Sequence, residues 1–211
     1  MTYKKDTAGQ YSGSLSADPE KVAMRARREA EHQATVRALH QEMEPVLAKL
    51  RAIGVPVTRI SDICGPPLPK AAPFPDALPV FLAELQRDGY SPHARAVLAS
   101  ALETPETRAV GWTTIIDLYK SEPDGLSRTV LANVICIAVN ESVIADVIAL
   151  VRDPRMGPTR SLLLAALKRS KSPDARATLE EMVDDPQLRT EIELFLKRRK
   201  KREASRSVTA H

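Results

Sequence analysis

The stretch GPTRSLLLAALKRSKSPDARATLEEMVDDPQLR, residues 157–189, holds two turns marked by Gly, Pro and Asp and two apolar helical stretches. An Arg stands three residues into each turn, Arg160 and Arg189. The same arrangement occurs upstream. Arg95 with AVLASAL, Arg128 with TVLANVI, Arg160 with SLLLAAL and Arg189 with TEIELFL superimpose at intervals of 33, 32 and 29 residues. Leu98, Leu131 and Leu163 coincide, as do Leu102, Ile135, Leu167 and Leu196. Two helices per period of about 30 residues is the pattern of an α-solenoid, in which each pair buries its apolar face only against its neighbours.

The DP…R…LL…AL pattern over about residues 73–199 resembles the HEAT repeat family, including the shorter HEAT-like repeats of phycobilisome lyases. The resemblance implies an all-α, right-handed α-solenoid of about four helix pairs. In that family a turn Asp and an Arg early in the second helix lie close and bridge adjacent units. Each repeat Arg here has an upstream acid, Asp88, Asp124, Asp153 or Asp185, four or seven residues before it. A buried guanidinium calls for a bidentate carboxylate, so each Arg is expected to pair with that acid. The competing reading is a ladder of cations for phosphates or an acidic partner, which requires charge left uncompensated.

Outward from the repeats, residues 75–199 read as eight helical stretches separated by Pro, Gly, Asp or Asn, the short links implying antiparallel neighbours. VICIAV, residues 134–139, is β-branched enough to suggest a buried strand, but it continues the stretch that matches LLLAAL in the next unit and is expected to be helical. Residues 55–74 form a Pro-rich connector, with TRISDI able to make one short helical turn. Residues 18–54 read as a charged helical segment that starts at Asp18-Pro19-Glu20 and ends at Gly54, with a kink or a second helix expected at Pro45. Residues 1–17 lack periodicity and are expected to be disordered, and residues 200–211 form a basic tail.

Composition narrows the function. Apolar residues make up 43% of the 211 but aromatic ones only 4%, so the core is aliphatic. Cys64 and Cys136 form no CxxC, and together with a start lacking an apolar signal region they suggest a cytoplasmic protein without a membrane span. The net charge of +4 is unevenly spread: residues 197–206, KRRKKREASR, carry seven cations and one acid, which leaves the remainder at −2. Lys197, Arg198, Arg199, Lys200, Lys201 and Arg202 therefore offer a nucleic acid, an anionic lipid or an acidic partner a site, or else cap the last repeat with cations at its negative pole.

No P-loop, GxGxxG, GxSxG or HExxH motif occurs, and no cofactor is expected. His32 and His40 stand about 12 Å apart along one helix, too far to share a metal, and His40 with Glu44 supplies only two ligands. The favoured expectation is thus a non-catalytic scaffold that binds another protein. The resemblance implies that the second helices line a concave face, with His93, Asn133 and Lys168 as candidate contacts. The alternative is a nucleic-acid-binding relative or an alkylpurine DNA glycosylase-like enzyme using Trp112 and Asp117, although one Trp and a nearly neutral body suit a core filler better.

Overall fold

A computed structural model of the chain describes residues 19–63, 74–123 and 125–209. All regular structure among them is helical, including the β-branched run at 134–138, and none of these helices is long and apolar enough to cross a membrane. The expected disorder at residues 1–17, residues 64–73 of the Pro-rich connector with Cys64 among them, Asp124 and His211 lie outside the described residues.

The chain divides into two compact units, Met1–Ala38 and Leu39–His211. The division falls inside helix α1 (Pro19–Ala52), not at the Pro-rich connector. Residues 20–38 of the first unit expose every side chain, His32 included. From Leu39 the sequence acquires a helical apolar stripe, and Met43, Val46, Leu47 and Leu50 are fully buried in the second unit. Of the two outcomes expected at Pro45, a second helix does not open: α1 runs through it. Proline removes one backbone donor, but its side is exposed while the stripe beside it is buried, and that burial outweighs one missing bond. Gly54, two residues past the end of the helix, has a φ of 85° that lets Val55 N–H reach back to the Leu50 carbonyl.

After the short 3-10 turn Ile60–Asp62, eight α-helices follow among the described residues: α2 (Leu78–Leu85), α3 (Pro92–Ser100), α4 (Thr107–Ser121), α5 (Leu126–Ala138), α6 (Ile144–Arg152), α7 (Arg160–Arg169), α8 (Pro173–Glu181) and α9 (Arg189–Thr209). Local chemistry sets their starts. The Ser91 and Ser172 hydroxyls cap α3 and α8, each followed by Pro at the first helical position. Gly89, Gly125 and Gly157 occupy the turns before α3, α5 and α7 with positive φ, a conformation that side chains with Cβ rarely adopt.

Packing alternates along the chain. α2 lies against α3, α4 against α5 and α6 against α7. The second member of each pair also packs on the next second member, α3 on α5, α5 on α7 and α7 on α9. One aliphatic core runs through these contacts, with Leu98, Leu131 and Leu163, the superimposed leucines of the repeat, all fully buried. The last helix does not stop near Arg199 but continues to Thr209, so most of the basic tail is helical backbone.

Candidate functional site

The recurring arginines sit at the starts of α3, α5, α7 and α9, and the structure revises the expected pairing. Arg95 donates through Nη1 to the Leu85 carbonyl at the end of α2, 3.1 Å away, and through Nε to both Glu122 oxygens, at 2.9 and 3.0 Å. Arg160 repeats the geometry one pair further on. Its Nη1 reaches the Val151 carbonyl of α6 at 3.1 Å and Asp185 Oδ2 at 2.8 Å, while Nη2 reaches Gln187 at 2.8 Å. Each guanidinium thus clasps two helix ends: a carbonyl closing the first helix of its own pair, and a carboxylate closing the first helix of the next. Helix C-termini leave such carbonyls unpaired, and a cation placed there is doubly suited.

Arg128 makes the same two-sided contact by other means. Its guanidinium lies over the Tyr119 ring of α4, 5.2 Å from the centroid, and its Nη2 is 3.4 Å from the Arg155 carbonyl and 3.4 Å from Met156 Sδ in the turn after α6. Arg189 donates to Glu193 of its own helix at 2.9 Å.

The upstream acids therefore play other parts. Asp88 and Asp153 reach Arg95 and Arg160 only through space, Asp153 being bidentate to Arg155. Asp185 belongs to Arg160 and not to Arg189. Burial works to raise the Asp185 carboxyl, but the Arg160 bond and the Gln187 N–H outweigh it and hold the group below its ordinary value. Arg95 is held above its ordinary value by the Glu122 bond. Glu122 was not among the sequence candidates. Its only signal is that an acid closes the first helix of every pair, which leaves open whether it serves its own Arg or the preceding one.

A second unanticipated cluster joins α1 to α2. Glu84 is buried and accepts from Lys49 of α1, from Arg87 at 2.9 Å and from the Tyr90 hydroxyl at 2.7 Å. Burial and then the Glu84 bond push Tyr90 up to about 12.

The candidate partner contacts separate. His93 is exposed at the start of α3. Asn133 is half-buried and hydrogen-bonds Glu103, whose carboxyl burial raises. Lys168 is engaged within the fold, donating to Glu191 at 2.7 Å with its ammonium 5.7 Å from the Phe195 ring centroid. Around Asn133, residues two, five and nine positions after each repeat Arg fall on one side of the second helix. On α5 and α7 these are Val130, Asn133 and Ile137, then Leu162, Ala165 and Arg169, all half-buried or exposed. The result is a largely apolar open face with polar groups at its edge.

Chemistry is sparse. Trp112 is buried and donates from Nε1 to Asp146 of α6 at 2.7 Å, so it fills and ties the contact between α4 and α6, while Asp117 is exposed and the two do not converge. Cys136 donates to the Leu162 carbonyl at 3.2 Å, and burial pushes its thiol up, away from nucleophilic use. A cleft of about 500 Å³ beside the Arg95–Glu122 clasp is lined by groups such as Asp88, Tyr90 and Ser127, its central charges already paired. No group of three or more His, Cys, Asp or Glu residues able to hold a metal occurs among the described residues. No protein-family model, curated protein or solved structure matches the chain.

Proposed function

We propose that the helix pairs α2–α3 to α8–α9 form an α-solenoid of four HEAT-like units that acts as a non-catalytic scaffold, binding another protein along its second helices. The observation that carries this reading is the recurring clasp. Arg95 to Glu122 and Arg160 to Asp185 span 27 and 25 residues with the same two-sided geometry, which is what a stacked repeat requires of its neighbours. The open face of α5 and α7 supplies a suitable surface: Val130, Ile137, Leu162 and Ala165 make an apolar centre, with Lys168 and Arg169 at the rim. An apolar centre within a polar rim is the anatomy of a protein interface. The enzyme alternative lacks a comparable constellation, since Trp112 is buried against Asp146.

Affinity capture from the cell of origin tests the reading, using the full chain and an Ile137→Glu/Ala165→Glu variant whose changes lie at exposed positions. The expected result is a stoichiometric protein partner that survives nuclease treatment and is lost from the variant. Equal capture by both proteins, or recovery that disappears with nuclease, counts against it.

A further inference from the structure

Arg169, at the rim of the open face, also lines a cleft of about 370 Å³ where α5 and α7 end and α6 begins. Val139, Ile144 and Ala166 give this cleft an apolar lining. The turn after α7 is fixed there by Glu141, which accepts the Ser170 hydroxyl at 2.6 Å and the Lys171 backbone N–H at 2.8 Å. Those bonds, the hydroxyl first, hold the Glu141 carboxyl below its ordinary value, so it stays ionised with two donors already on it. Arg169 and Lys171 stand beside it, both exposed. Neither side chain enters an ion pair among the described residues. Arg169 donates through Nη2 to the Cys136 carbonyl, and the Lys171 ammonium acts on Glu141 only through space.

Charge and shape together identify the ligand. Two cations against one carboxylate leave the cleft at a net single positive charge, which suits a monoanion and not a phosphate dianion. A guanidinium has five N–H donors in a planar fork, and the Cys136 carbonyl takes one, so Arg169 keeps donors for a carboxylate. The apolar lining adjoins the cations directly, so the carboxylate and an aliphatic group have to share one carbon atom. An Asp or Glu side chain lacks that branch. The final residue of a chain has it whenever its side chain is aliphatic, and capture of such termini is a recurring mode of peptide recognition.

We propose that this cleft binds the C-terminal carboxylate of the partner protein between Arg169 and Lys171, with an aliphatic final side chain against Val139, Ile144 and Ala166. The proposal rests on the reading that the open face takes a protein partner, and it adds which end of that partner is held.

The test follows the amide resonances of the isotope-labelled full chain as the peptide N-acetyl-Ala-Ala-Leu is added with a free C-terminus. The expected result is a set of shifts centred on the cleft, with a Kd of about 1 mM or tighter. The same peptide with an amidated C-terminus should bind at least about tenfold more weakly, because the charge that Arg169 and Lys171 meet is gone. Lys171→Glu should weaken the free peptide at least about tenfold while keeping the urea midpoint, since that side chain is exposed. Arg169→Gln should weaken it by a similar factor. The proposal is overturned if about 10 mM free peptide leaves the cleft resonances in place. It is equally overturned if the amidated peptide binds as well, if Lys171→Glu changes nothing, or if isocaproate alone binds as tightly as the peptide. No partner takes part in this titration, so its failure is distinct from failure of the capture experiment with the Ile137→Glu/Ala165→Glu variant.

Discussion

Arg160 and Arg189 occupy equivalent places in the repeat yet do different work. Arg160 is buried and holds Val151, Asp185 and Gln187 together; Arg189 is exposed and its guanidinium pairs with Glu193 of its own helix. Removing one partner of a buried pair strands the other, whereas a surface i,i+4 pair contributes little. Arg160→Met should therefore cost about 3 kcal/mol in urea unfolding, and Arg189→Met less than about 1 kcal/mol. Equal losses would remove the distinction.

Two carboxylates at this scale also set acid stability. Backbone N–H and hydroxyl bonds from Thr58 hold Asp62 at about 2, and the Arg155 bond holds Asp153 at about 2. Both native values lie below the unfolded value near 3.9, so their stabilisation is complete above about pH 4 and is lost as pH falls toward 2. The urea midpoint should hold from pH 7 to 5 and drop between about 4 and 2. Asp62→Asn should make that drop shallower, and an unchanged profile in the variant would refute the assignment.

The helices themselves were largely legible as elements. Ser91-Pro92 and Ser172-Pro173 mark starts by cap chemistry, and the repeat placed VICIAV in a helix against its β propensity. The clasp direction was not legible, because spacing along the chain favours the nearest acid while a guanidinium reaches across to the next pair. No second helix opens at Pro45, because burial of the stripe around it outweighs one missing bond, and that burial is visible only in the fold. At this scale the contact between α2 and α4 makes its own demand. α4 bends at Gly111, and a Cβ there would lie 2.2 Å from Leu82 Cδ2, itself buried in the core. Gly111→Ala should destabilise the protein by about 1–3 kcal/mol through overpacking. Combined with Leu82→Ala, the total loss should be smaller than the sum of the single losses by about 1 kcal/mol, as a double-mutant cycle would reveal. Strict additivity would mean that the two residues do not meet.

For the molecule as a whole, the clasps face one way. Arg95 and Arg160 each reach toward the C-terminus for their carboxylate, and Arg189 pairs with Glu193 of its own helix. The two clasps consequently share a direction, and cutting the chain before one is not equivalent to cutting after it. Shortening the chain after Ser170 would remove Asp185 and Gln187 and leave Arg160 holding only carbonyls of its own pair and turn. In that shortened protein Arg160→Met should cost almost nothing, against about 3 kcal/mol in the full chain. Shortening from the other side would leave Glu122 without its cation but open to water, a far milder orphan. Any duplication of a helix pair would accordingly have to supply the acid with the incoming pair and leave the arginine to the one already in place.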